Sequence, residues 1–176
     1  MLNRREGGVD DHPESSLSLE IPPDWGRLDG VRHEVIEFLS DLGLDRDAQE
    51  TSGMVATELL ENAIKYGGWT APEDRAYLDV SAGHGEVVIA AVCPLGRDPE
   101  HLVRLQDTLA FLAEYDGPFE AYVARMEQIA SGETSRDGLG LLRVACEGES
   151  SLDYSLDDEQ LTIEARHRLA AQMVEA

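Results

Sequence analysis

The sequence predicts an α+β fold: a two-layer α/β sandwich in which a mixed, mostly antiparallel sheet carries helices on one face. Three observations predict it. Strand patterns come in hairpin pairs, 76–82 with 86–92 and 151–156 with 160–166, rather than alternating strictly with helices. Two amphipathic helical stretches separate a first strand from the first hairpin. One run, EVVIAAV at 86–92, is apolar almost throughout, as a central buried strand is.

The elements follow in order. Leu17, Leu19 and Ile21 alternate with Ser16, Ser18 and Glu20, the pattern of a half-buried strand. Pro22 and Pro23 end it, and Asp24 is placed to cap the next element. Over 27–42, Leu28, Val31, Val35, Phe38, Leu39 and Leu42 recur at three and four residues, which predicts a helix stopped by Gly43. A second helix opens at Leu44-Asp45, carries Met54, Val55, Leu59, Ala63 and Ile64 on its apolar face, and ends at Gly67-Gly68. Gly83-His84-Gly85 turns the first hairpin, and Pro94 and Gly96 are expected to break its second strand. Residues 99–131 read as two helical stripes interrupted at Asp116-Gly117-Pro118. SGETSRDG is a loop, 140–145 a short helix, and the last hairpin turns at Asp157-Asp158-Glu159. The expected organisation is a polar, disordered segment at 1–15, one domain at 16–167 with a helical insert at 97–137, and a tail at 168–176 that is helical or frayed.

Composition excludes several functions. The chain of 176 residues has 14 Lys+Arg against 36 Asp+Glu, a net charge of −22, with 42% hydrophobic residues. Such a charge repels nucleic acid phosphates and anionic membrane surfaces, while the apolar content suffices for a core. No run approaches the ~18 consecutive apolar residues of a membrane span. The first residues have basic side chains with no apolar run behind them, so a cytosolic protein with reduced Cys93 and Cys146 is expected. The five histidines sit at no metal-ligand spacing. Thirteen of the basic residues are arginine; the single lysine is Lys65.

Two constellations carry chemistry. On the second helix, in TELLENAIKYG, Asn62 lies at about +40° and Lys65 at about −20° from Glu58. These three side chains share one narrow face. A carboxylate there can act as a base, an amide oxygen is a hard ligand suited to magnesium, and an ammonium neutralises phosphate. A solvated stripe with a charge-paired Glu and Lys explains the same spacing, and spacing alone leaves both readings open. The second constellation is Gly138-Leu139-Gly140-Leu141, which opens a short helix where backbone amides and the helix dipole favour an anion, with Thr134, Ser135 and Arg136 just before it. A plain turn explains that as well.

Together, ELLENAIKYG followed about 75 residues later by GLGL resembles the histidine-kinase-like ATPase superfamily, known also as GHKL or Bergerat-fold proteins, and within it the single-domain bacterial anti-sigma-factor serine kinases. The resemblance covers about 16–167 and includes the order of elements and the opening helix. It implies Glu58 as general base, Asn62 as the magnesium ligand once nucleotide is bound, Lys65 and Tyr66 beside the nucleotide phosphates, and Gly138 and Gly140 as the second glycine box. The implied cofactor is Mg-ATP or Mg-ADP. The first glycine box departs from the pattern. Where the family has an aspartate that recognises adenine, this chain runs through Cys93-Pro94-Leu95-Gly96-Arg97-Asp98, and a thiol is a weak acceptor. Asp98 is the displaced carboxylate nearest that position.

The resemblance implies a bacterial regulator that binds a protein partner, a sigma factor or an anti-anti-sigma-type domain. The alternatives are an active Mg-ATP-dependent protein serine/threonine kinase of the anti-sigma type, and an interaction module with a vestigial pocket. A homodimer through the first strand and first helix is a further implication. Residues 97–137 hold nine acids against four arginines, a surface suited to a basic protein partner rather than to an anionic nucleotide.

Overall fold

The computed structural model describes residues 15–169. The expected disorder of the N-terminal segment and the form of the tail beyond Leu169 lie outside these residues. The chain folds as β1 (Ser15–Ile21), α1 (Leu28–Asp41), α2 (Arg46–Tyr66), β2 (Ala76–Gly83), β3 (Glu86–Pro94), α3 (Pro99–Ala113), α4 (Pro118–Ala130), α5 (Leu139–Cys146), β4 (Ser150–Asp157) and β5 (Gln160–Arg168). Every element expected from the sequence is present, in the expected order.

Local signals set the boundaries. The Asp24 carboxylate accepts a bond from the Gly26 amide at 2.9 Å, so it caps a 3-10 turn at Trp25–Arg27 that leads into α1. Asp45 caps α2 through the Ala48 amide at 2.8 Å. The five strands form one sheet in the order β1-β2-β3-β5-β4. All four pairings are antiparallel, so the sheet is not mixed. Each hairpin connection is tight, and the long α1–α2 connection still returns β2 antiparallel to β1. Pro94 does not break β3: it is the strand's last residue, opposite Gln160, where its missing N–H costs little. Its carbonyl accepts from the Gly68 amide at 2.8 Å, tying the end of α2 to the end of the central strand.

One face of the sheet makes the core. Leu78, Val80, Val87 and Ile89 from the strands meet Val35, Leu39, Leu59 and Leu60 from α1 and α2, all essentially inaccessible to water. Burying a side chain of this size stabilises the fold by about 1.5–3 kcal/mol each. On the other face Val88, Ala90 and Val92 of β3 are only half-buried, so the central strand is covered on one side and shielded on the other by neighbouring strands. α2 packs on β2 and β3, and α5 packs on α2 and β4, which sets Gly140 of α5 against Glu58 of α2.

Candidate functional site

The α2 stripe and the GLGL segment meet. A Cβ on Gly140 would collide with the Glu58 carboxylate as it stands and lie 3.8 Å from Asn62 Nδ2, so the glycine leaves room for that carboxylate between α5 and α2. Gly138 sits at φ +80°, the left-handed region, directly before α5, and Thr108 of α3 fills the space beside it. Glu58, Asn62 and Gly140 therefore form one junction, while Lys65 and Tyr66 lie further along α2.

Glu58 is held rather than free. Its side chain is 13% exposed and Oε1 accepts from Arg143 Nη1 of α5 at 2.6 Å. Burial raises its pKa, the Arg143 charge lowers it, and Glu61 and Glu147 raise it again; the net direction is up. The same guanidinium bonds Glu147 through Nη2 at 3.1 Å. Asn62 Nδ2 donates to the Glu58 backbone carbonyl at 2.8 Å, a bond that leaves its amide oxygen uninvolved.

The Lys65 ammonium reaches Asp137 Oδ1 at 3.0 Å and lies 4.8 Å from the Tyr66 ring centre. The Tyr66 side chain first, then Asp137, holds its pKa above the usual lysine value. Asp137 Oδ2 accepts from Arg104 of α3 and from Ser135 Oγ, both at 3.0 Å. Hydrogen bonds from Lys65 and Ser135 hold this carboxyl below the usual range. The lysine that the motif assigns to phosphate is thus engaged by a carboxylate from the loop preceding Gly138.

Helix α3 lies across the groove that these residues border. The Tyr66 and His101 ring centres are 4.7 Å apart. Leu102, Leu105 and Thr108 close over Ala63, Cys93 and Ile163, leaving a cavity of about 50 Å³. Small-molecule sites run to ~300–1,000 Å³, so α3 narrows the space that a ligand would need here. At the far wall Cys93 is buried, and desolvation pushes its thiol up to about 11, which keeps it neutral. Asp98 is already employed: it caps α3 through the Glu100 amide at 3.0 Å and lies 3.7 Å from His101 Nε2.

Sequence reasoning missed Arg143, Arg104 and the joining role of Asp137. Arg143 falls one turn after Gly140 on α5, so its facing Glu58 was open to inference once GLGL was paired with α2. The Arg104–Asp137 pair joins residues 33 apart and had no local signal.

No protein-family model matches the sequence, and no curated protein matches it. Among solved structures, a chain in the crystal structure of the SiaB-SiaC complex from Pseudomonas aeruginosa is similar, with a TM-score of 0.64 at 23% identity, over 85% of this chain and 88% of that one. Among the described residues no helix is long and apolar enough to cross a membrane. The likeness establishes a shared architecture: a five-stranded antiparallel sheet with helices packed against it.

Proposed function

We propose that this chain is a cytosolic bacterial regulator with a histidine-kinase-like ATPase fold that acts by binding another protein, with its nucleotide groove closed under α3. One observation carries the reading. The side chains that would meet Mg-ATP are present, yet Glu58 is bonded to Arg143, Lys65 to Asp137, and the groove is narrowed by Leu102, Leu105 and Thr108 of α3, which line it. The similar solved structure is of a two-protein complex, which supports a protein partner for this fold. A sigma factor or an anti-anti-sigma-type domain is the partner class proposed. Where nucleotide does enter, Asn62 would hold magnesium together with the phosphates, and Lys65 would exchange Asp137 for phosphate. Calorimetry with Mg-ATP and Mg-ADP tests the closed groove. Absent or millimolar binding is expected, and micromolar binding abolished by Asn62→Ala would overturn it. Gel filtration with a sigma factor or anti-anti-sigma-type domain from the same organism tests the partner reading, and the expected result is a stable complex with one of them.

A second reading is favoured by Glu58 itself. A half-buried carboxylate with a raised pKa, next to an amide, suits a general base. With α3 displaced and Arg143 withdrawn, Glu58 would take the proton of a partner serine or threonine while its oxygen attacks the γ-phosphorus and ADP departs. This reading expects phosphorylation of the partner that disappears in Glu58→Gln. An interaction module with a vestigial pocket expects instead that Asn62→Ala and Lys65→Ala leave partner binding unchanged.

A further inference from the structure

Helix α4 packs its buried Ala121 side toward α5 and presents an apolar stripe that the described residues cover only in part. Phe119, Val123 and Met126, spaced i, i+4 and i+7, are 64%, 38% and 41% exposed. That spacing is the one by which a helix face engages another amphipathic helix. A stripe of three large exposed side chains on one helix is unlike the scattered exposed apolar residues of an ordinary surface.

Charge beside the stripe selects the occupant. Glu120 and Glu127 each follow a stripe residue by one position, so both lie about 100° round the helix on the same flank. Glu147 at the end of α5 lies near the same flank but is already paired with Arg143 at 3.1 Å, so Glu120 and Glu127 are the acids that define its charge. Arg125 on α4 does not offset them, because its guanidinium lies 4.1 Å from the Phe111 ring centre on the α3 side. A second copy of a chain with charge −22 would set acid against acid. A basic partner gains from the same field.

We propose that the face formed by Phe119, Val123 and Met126 docks a basic amphipathic helix of the partner protein, with its Lys or Arg residues beside Glu120 and Glu127. The proposal rests on the partner-binding reading above and adds the surface and the chemistry of what it binds. The probe is a synthetic helical peptide with leucines at i, i+3, i+4 and i+7 and an arginine flank, compared with a peptide of the same leucines and a glutamate flank. Fluorescence anisotropy with the full chain should show binding of the basic peptide alone. Phe119→Ser with Met126→Ser should weaken it about tenfold or more. Glu120→Gln with Glu127→Gln should weaken it and flatten its salt dependence. These side chains are exposed, and circular dichroism melts would verify that the variants fold.

Equal binding of both peptides, or binding untouched by the Phe119/Met126 change, would overturn the proposal. So would a dimer in sedimentation that the same change abolishes, or peptide binding that appears only when residues 170–176 are removed. The candidate partner used in gel filtration separates the two levels. If it binds wild type and the Phe119/Met126 variant equally, the surface is wrong and the partner reading stands. If it fails to bind while the peptide discriminates as expected, the partner class is wrong and the surface stands.

Discussion

Asp137 and Lys65 join the loop before α5 to the last turn of α2, Oδ1 to Nζ at 3.0 Å, and the other oxygen of Asp137 holds Arg104 of α3. One carboxylate thereby links three segments around the groove. Each exposed pair is worth at most about 1 kcal/mol. The effect should therefore be local rather than global.

Asp137→Asn is expected to leave the fold intact and to loosen α3. Hydrogen exchange should quicken across Pro99–Ala113, while the core strands β2 and β3 keep their protection. The pH dependence follows from the lowered pKa of Asp137. Its contribution is present above the unfolded value near 3.8 and is lost as pH falls through the folded value, so wild-type α3 should exchange more like the variant in acid. Unchanged α3 exchange in Asp137→Asn at neutral pH would show that packing of Leu102 and Leu105 alone closes the groove.

The Glu58–Arg143 pair has the opposite sign. The folded pKa of Glu58 lies above its ordinary 4.5, so the folded state binds the proton more readily, and ionisation of Glu58 costs stability as pH rises through that window. Arg143 offsets part of that cost. Arg143→Ala should cost about 1–3 kcal/mol at pH 8, from a part-buried carboxylate left unpaired, and distinctly less at pH 4. Adding Glu58→Gln should restore much of the loss. Urea melts at the two pH values measure this, and an equal loss at both would mean that Arg143 acts through packing.

Much of this arrangement was legible in the sequence because it is local or periodic. The helices announce themselves by apolar residues at three and four, the strands by alternation, and the 3-10 turn before α1 and the start of α2 by Asp24 and Asp45. The shared face of Glu58, Asn62 and Lys65 follows from helical geometry. What was not legible depends on which residues meet across the fold. Pro94 reads as a breaker in isolation, yet a strand end tolerates it. EVVIAAV reads as buried on both faces, yet flanking strands suffice to half-cover Val88, Ala90 and Val92. The apolar periodicity of residues 99–131 gives two helices but not the placement of α3 in the groove, which rests on contacts of Leu105, Thr108 and Arg104 with distant residues.

Gly140 and Gly138 admit a direct comparison. Gly140→Ala places a methyl group against Glu58 Oε2, so the carboxylate must shift and strain its bond to Arg143, or α5 must move. Overpacking of this kind costs about 1–3 kcal/mol. Gly138→Ala meets Thr108 Oγ1 and also carries the left-handed backbone, a penalty of about 1 kcal/mol or more. Thermal melts should show both destabilised. Only Gly140→Ala should be relieved by Glu58→Ala, since only there is the obstacle that carboxylate; equal relief of both would contradict the geometry.

The two thiols report on the groove. Cys93 lines the cavity under α3, and burial raises its pKa to about 11, so it should resist alkylation near neutral pH. Cys146 is partly exposed, with a pKa raised by burial and then by Glu147 and Glu120, and should react first though slowly. In a Cys146→Ser background, labelling by N-ethylmaleimide isolates Cys93. Its rate is then expected to follow opening of α3, because Leu102 and Leu105 line the cavity beside the thiol. Asp137→Asn in that background should speed Cys93 labelling at constant pH while leaving the melting temperature within a few degrees of its parent. Equal labelling rates with and without Asp137 would mean that Cys93 is reached by opening of the sheet itself, and α3 would then not be the element that controls access to the groove.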